Sequence, residues 1–300
     1  MRSDALESIV TMLRTTAAGR GDQEMTLAEW RDGYAALGAF LPSAEGVAVT
    51  PVDAGSVRAE WIAVPGGAAG ATIVYLHGGG YCIGGLDTHR PMLTHLARAA
   101  DARVLAVDYR LAPEHPYPAA LDDAVDAYRW VLAGGVSPAR TVIAGDSAGG
   151  GLTVATLVAL RDGGVPLPAL GVCLSPWADL TQSGSTISSR KDVDPMVRAD
   201  DLDRWANFYR GDFEAGRPSI SPIFADLHGL PPLHVEVGTD EVLLDDARRL
   251  VDRARSHDVR VTLVEAEDMV HVWHFFAGAV PEADEGIERV GATVRDAVGS

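Results

Sequence analysis

Apolar positions in this 300-residue chain change their period along its length, and the changes mark out its parts. Near the start, Ala5, Ile9, Met12 and Leu13 recur at helical spacing. Leu27, Trp30, Tyr34 and Leu37 do the same, with Gly19-Arg20-Gly21-Asp22 as the turn between the two sets. Two amphipathic helices are therefore expected before any strand, either as a lid over a site or as a decoration packed on the core. Val47–Val52 and Val57–Val64 are strand-like runs joined by Asp53–Ser56, which predicts an antiparallel hairpin at a sheet edge.

From residue 71 the pattern alternates between short apolar runs and longer amphipathic ones. Strands are expected at Thr72–Leu76, Val104–Val107, Thr141–Ala144, Leu170–Leu174, Leu233–Val237 and Val259–Val264. Helices are expected at Leu86–Ala100, Tyr117–Leu132, Leu152–Arg161, Val242–His257 and Ala283–Val298. Such alternation predicts an α/β fold: a mostly parallel central sheet flanked by helices, with functional groups on the loops after strand C-termini. Residues 178–230 break the rhythm. They hold a Ser/Thr-rich stretch (Thr181–Ser189), then Asp194-Pro195-Met196, then a helical run over Leu202–Tyr209, but no core strand. An insertion of that length reads as part of a cap. The expected division is an N-terminal helical part over 1–45 and an α/β domain over 46–300 that carries the insertion.

Composition narrows the function classes. At 47% hydrophobic residues the chain can bury a sizeable core. A formal charge of −17 with no basic run argues against nucleic acid or an anionic membrane as partner. Two cysteines make no disulfide framework, and no Cys/His cluster has zinc spacing. No apolar run marks a signal peptide or reaches the roughly 18 residues of a membrane span. A soluble, cytoplasmic protein is the expectation.

The chemistry is carried by Gly145-Asp146-Ser147-Ala148-Gly149, which fits G-x-S-x-G between a strand and a helix. A serine on so sharp a turn needs small neighbours, and the helix behind it aims unpaired N–H groups at the place where negative charge develops in acyl transfer. A phosphate loop would need Gly-Lys-Ser/Thr and a dinucleotide site G-x-G-x-x-G; neither is present. On this arrangement a base should follow the strand near 262, where His271 comes first in the loop and His274 lies one helical turn on. An orienting acid should follow the strand near 235, where Asp240 and Glu241 are both placed to serve. His77-Gly78-Gly79-Gly80 matches an oxyanion-binding element, with Gly78, Gly79, Gly80 and the Ala148 N–H as candidate donors. Tyr81, Trp177, Phe208 and Tyr209 are candidate pocket residues. His271 and His274 as a metal pair lack an H-E-x-x-H pattern or an acidic third ligand, so neither metal nor cofactor is expected.

With these motifs the chain resembles bacterial esterases of the hormone-sensitive-lipase family, in the branch whose elbow reads Gly-Asp-Ser-Ala-Gly. The resemblance rests on His77–Tyr81, on Asp108–Ala120, on Gly145–Gly149 and on Ser175-Pro176-Trp177. It implies an α/β-hydrolase fold with a helical cap built from the N-terminal helices and the 178–230 insertion. It implies scaffold roles for Asp108, Arg110 and Glu114, His271 as base, and Glu241 as acid where the family usually has aspartate. It also implies a homodimer through the edge strand near 259–264. The expected activity is hydrolysis of a small, short- to medium-chain carboxylic ester through an acyl-enzyme. The alternatives are a lactonase or amidase with the same residues, or a non-catalytic receptor for a small ligand.

Overall fold

The structure, a computed structural model, describes residues 2–20, 25–66 and 70–299. Its strands are β1 (Ala48–Ala54), β2 (Val57–Ala63), β3 (Ala71–Leu76), β4 (Ala102–Val107), β5 (Thr141–Asp146), β6 (Leu170–Leu174), β7 (Leu233–Gly238) and β8 (Val261–Ala266). They form one sheet in the order β1-β2-β4-β3-β5-β6-β7-β8. β1 and β2 are the expected antiparallel hairpin, β2 runs antiparallel to β4, and every pair from β4 to β8 is parallel. β3, β5, β6 and β7 are buried along their whole length, which is why they read as apolar runs instead of alternating ones.

The helices are α1 (Asp4–Arg20), α2 (Leu27–Phe40), α3 (Leu86–Ala99), α4 (Ala119–Ala133), α5 (Ala148–Asp162), α6 (Thr186–Ser189), α7 (Ala199–Arg210), α8 (Leu244–Ser256) and α9 (Pro281–Val298). The strand period of two divides the sheet into two cores. Val74, Leu76, Leu105, Ile143, Cys173 and Val235 face the core shared with α4, α5 and α8. Ile73, Tyr75, Val104, Val142 and Val172 face the one shared with α3 and α9. A third cluster joins Leu6 and Val10 of α1 to Met269, Val270, Trp273 and Phe275 beyond β8. Helix α2 begins at a capping box, with Thr26 and Glu29 each bonding the other's backbone. Of the expected turn at 19–22, Gly19 and Arg20 are helical, while Gly21 and Asp22 lie outside the described residues.

Among the boundaries that differ from the sequence reading, two have a clear physical reason. Helix α5 starts at Ala148, so Gly149, Gly150 and Gly151 are helical although glycine disfavours a helix by about 1 kcal/mol relative to alanine. A β-carbon on Gly149 would collide with the Leu76 carbonyl, and one on Gly151 with the Trp177 carbonyl. Close approach to the sheet therefore overrides propensity. Strand β8 forms at Val261–Ala266, not Val259–Val264, because Val259 N–H turns back to the Ala254 carbonyl and closes α8.

Beneath the loop that follows β8, the fully buried Glu236 of β7 accepts hydrogen bonds from His234 Nε2 (2.8 Å), His274 Nε2 (3.0 Å) and, through both oxygens, Arg289 of α9 (2.9 and 2.7 Å). Burial pushes its carboxyl pKa up, but the hydrogen bonds from His234, His274 and Arg289 outweigh it and hold the group far below the carboxylate range. A depressed folded-state pKa gives stability that is present above the unfolded value of about 4.3 and is lost as pH falls below it. Glu236→Gln removes the charge that His274 and Arg289 bind, and is expected to cost about 1–3 kcal/mol at pH 7, with the half-exposed Arg289 remaining solvated. Urea unfolding from pH 7 down to 3 should show the gap between wild type and variant closing below about pH 4.3; a gap independent of pH would contradict this account.

Candidate active site

Ser147 occupies the turn between β5 and α5 with φ 51° and ψ −120°, a conformation that costs a non-glycine residue of the order of 1–3 kcal/mol. Besides the first helical bonds from Gly150 and Gly151 N–H to its carbonyl, two hydrogen bonds to the end of β6 and the segment after it hold it there. Ser147 N–H donates to the Leu174 carbonyl (2.8 Å), and its own carbonyl accepts from Trp177 N–H (2.8 Å). The strained turn lifts Oγ out of the sheet end, 2.9 Å from His271 Nε2. On its other side the imidazole meets Glu241, with Nδ1 2.7 Å from Oε2. An ionised acceptor there keeps the proton on Nδ1, which leaves Nε2 to accept from the serine hydroxyl.

The structure brings Glu241 to the histidine and takes Asp240 away from it. Asp240 Oδ2 accepts from Arg2 Nη2 at 2.5 Å, and Arg190 lies 3.7 Å from its other oxygen. Burial pulls the His271 pKa down, but the charge and hydrogen bond of Glu241 more than offset it, with smaller help from the charges of Asp194 and Asp146. The ring ends above its ordinary value. Asp194 is a participant that the sequence reading did not single out. It lies in the 178–230 insertion and accepts N–H bonds from Met196 (2.8 Å), Val197 (2.9 Å) and Val242 (2.9 Å), the last adjacent to Glu241. Desolvation pushes its pKa up to about 6, against the pull of His271 and of those three N–H groups.

The glycine element after β3 faces the same space. Gly79 and Gly80 line a cavity of about 400 Å³ together with Ser147 and His271. A β-carbon on Gly80, at φ 60°, would run into the Trp205 ring, so this position admits glycine alone. Ala148 is the first residue of α5, and its N–H has no acceptor within the helix. Gly78 does not share the role expected of it, because its N–H is turned inward to Asp146 Oδ1 (3.0 Å). Asp146, the variable residue of the elbow, is thereby a brace that also accepts from Tyr75 Oη (2.9 Å).

The rest of the cavity is mostly apolar, with Thr16, Arg198 and Asp201 as its polar members, and is built from the N-terminal helices, the insertion and the loop beyond β8. Met12, Leu13, Trp30, Tyr34, Leu37 and Phe40 enter from α1 and α2. Met196, Leu202 and Trp205 enter from the insertion, and Phe275 from the loop beyond β8. The four expected pocket aromatics lie elsewhere. Tyr81 and Tyr209 stack on each other in the core at 3.7 Å between ring centres, and Trp177 is fully buried. Phe208 lies under Arg204, 5.7 Å from its ring centre, and does not line the cavity. A β-carbon on Gly151 of α5 would meet the Trp177 carbonyl and Tyr81 Oη, so the elbow helix leaves no open space beside these two residues.

The scaffold residues implied by the resemblance are paired. Arg58 meets Asp108 (2.8 Å), Arg110 meets Asp123 (2.7 Å), and Arg31 of α2 meets Glu114 (2.8 Å). His271 and His274 do not converge on a common point, since His274 faces Glu236. Among the described residues one other group, Asp226, His228 and His257, brings three possible metal ligands together. It lies outside the cavity lining, and His257 Nδ1 already accepts from Leu227 N–H (2.8 Å).

Comparison with known proteins bears on the family and the fold. The sequence profile of a family described as alpha/beta hydrolase fold matches residues 73–275. An acetyl-hydrolase from Streptomyces hygroscopicus is 47% identical over 248 residues, covering 83% of each chain. A solved esterase from the bacterial hormone-sensitive lipase family superposes with a TM-score of 0.95 at 45% identity, covering all of both chains. EstE5, in a crystal soaked with p-nitrophenyl butyrate, superposes with a TM-score of 0.95 at 42% identity, over 99% of this chain and 100% of its own. With the fold, the sheet order and these relatives in agreement, the chain belongs to the α/β-hydrolase fold family, in its bacterial hormone-sensitive-lipase group, and is a carboxylic ester hydrolase.

Proposed function

We propose that the protein hydrolyses short- to medium-chain acyl esters of small molecules, with Ser147 as nucleophile, His271 as general base and acid, and Glu241 as the orienting acid. The observation that carries this reading is the imidazole of His271 held between Glu241 and Ser147, at 2.7 and 2.9 Å, on the wall of a mostly apolar cavity. As Ser147 Oγ bonds to the ester carbon, its proton passes to His271 Nε2, and Glu241 stabilises the imidazolium that forms. The carbonyl oxygen becomes an oxyanion held by the N–H groups of Gly79 or Gly80 and Ala148, where one donor is worth about 2.7–4 kcal/mol of transition-state stabilisation. Collapse breaks the ester bond, and the leaving alcohol takes the proton from His271. Water then attacks the acyl-enzyme and gives a proton to His271, which passes it to Ser147 Oγ as the acyl bond breaks and the carboxylic acid leaves.

Size and polarity favour a modest acyl group. A cavity of about 400 Å³ lies near the lower end of the range for small-molecule sites, and its walls offer few polar partners away from the catalytic end. The acetyl-hydrolase relative and the butyrate ester introduced to EstE5 support the same range. In this reading α1, α2 and the 178–230 insertion act together as the cap, since residues from all three enclose the cavity above Ser147.

Three outcomes are expected with p-nitrophenyl butyrate as substrate. Ser147→Ala should lower kcat at least about 10³-fold, and Glu241→Gln about 10³- to 10⁴-fold. Asp240→Asn should stay within about threefold, because its carboxylate points to Arg2 and Arg190 and away from His271. A reversed order between the last two would transfer the acid role to Asp240. In kcat/KM against pH, activity should rise as His271 loses its proton, with a midpoint above the ordinary histidine value of about 6.5. A flat profile from about pH 5 to 8 would remove His271 as the base.

A further inference from the structure

Strand β6 ends in a short strap, Leu174–Trp177, that touches the candidate catalytic residues from below. Its ends grip the nucleophile turn, because Leu174 accepts from Ser147 N–H and Trp177 N–H donates to the Ser147 carbonyl, both at 2.8 Å. Between them sits Ser175, fully buried and at φ 45°, a left-handed conformation unfavourable for serine. Its backbone N–H is fixed to the Glu236 carbonyl at 2.6 Å. Its side chain has two partners: Oγ–H donates to Glu241 Oε1 (2.8 Å), and Oγ accepts from Val272 N–H (3.0 Å). We propose that Ser175 is a positioning residue for the hydrolytic reaction, locking the Glu241 carboxylate and the His271 loop to each other and to the Ser147 turn.

Three features support a role beyond filling the core. The hydrogen bonds close a ring, from Ser175 to Glu241, from Glu241 to His271, along one peptide to Val272, and back to Ser175. Glutamate also has one more rotatable bond than the aspartate the motif ordinarily carries, so its carboxylate needs more anchors to hold one orientation. Gly238 N–H (2.6 Å) and Ser175 Oγ–H both supply Oε1, and that leaves Oε2 turned to His271 Nδ1. Finally, Val272 is itself at φ 46°, so the residue after His271 adopts a backbone that a valine rarely takes. The bond from Val272 N–H to Ser175 holds that turn, which fixes the direction of the imidazole.

The proposal rests on the Ser147–His271–Glu241 reading, so Glu241→Gln is measured first. A near-normal rate there fails that reading; a collapsed rate there combined with a normal rate in Ser175→Ala fails this proposal alone. Ser175→Ala and Ser175→Gly are then made in the wild-type and Glu241→Gln backgrounds. Glycine accepts the positive φ without strain, so it carries the test if the alanine variant does not fold. With p-nitrophenyl butyrate, kcat should fall about 10- to 100-fold in both, the usual cost of losing a group that orients a reacting one. KM should stay within about threefold, because Ser175 lies behind the lining residues and does not itself face the cavity. In the Glu241→Gln background the same substitutions should cost clearly less than in the wild type, since the path through Glu241 is already lost and only the bond to Val272 N–H remains to be removed. The midpoint of the kcat/KM rise should also move to higher pH, because Glu241 loses a donor and its charge then favours the imidazolium more strongly. Equal losses in both backgrounds, or a lower melting temperature with unchanged kcat and pH midpoint, would make Ser175 a structural residue only and overturn the proposal.

Discussion

A single backbone conformation constrains most of the molecule. Ser147 stands at φ 51°, where an L-residue is unfavourable, and stays there because its neighbours leave no alternative. The N–H of Ser147 is taken by the end of β6 and its carbonyl by Trp177 just beyond, and α5 leaves the turn so close to β3 that a β-carbon on Gly149 would collide with the Leu76 carbonyl. Three consecutive glycines in a helix are a local cost. They are retained because any side chain at Gly149 or Gly151 would push the helix off the sheet and release the turn. The same approach aims the first N–H groups of α5 at the space above Ser147.

Buried charge is distributed around that turn with a pattern of its own. Glu236, Asp146 and Glu241 are each fully buried, and each accepts several hydrogen bonds from elements distant in sequence. Such carboxylates contribute little net stability beside an apolar alternative, but every one of them dictates which backbone or side-chain donors must converge on it. Asp246 shows the contrast. It accepts N–H bonds from Ala178 and Asp179, and burial together with the charge of Asp179 raises its pKa to about 8. Through those two N–H bonds it links α8 to the start of the insertion.

The N-terminal helices are coupled to the reacting loops by the same means. Arg2 reaches both Asp240 and the Asp268 carbonyl, on the two loops that carry Glu241 and His271. Arg31 binds Glu114 and the carbonyls of Cys82 and Ala112, next to the glycine element. The cavity walls are therefore tied to the loops they cover. Tyr34, stacked on Phe275 at 5.5 Å between ring centres, joins α2 to the segment that follows His271.

The sequence alone determined the α/β order, the strand-turn-helix at Ser147, the glycine element and the position of His271 after the last strand. These are local signals: a period of two or 3.6, a small-residue turn, a place in chain order. Composition left Asp240 and Glu241 open, because adjacent carboxylates differ only in the direction each side chain takes. That choice was made in three dimensions, where Arg2 draws Asp240 outward and Ser175 with Gly238 turns Glu241 inward. The pocket was also beyond local reading. Tyr81, Trp177 and Tyr209 are apolar residues near the site, yet the approach of α5 and α7 buries them, and the wall is built from the N-terminal helices, the insertion and the loop beyond β8. Gly78 looks like its two neighbours in sequence and is spent on Asp146 only because β3 and β5 run side by side. Periodicity records which face of an element is buried; what that face meets is decided by packing between segments far apart in the chain.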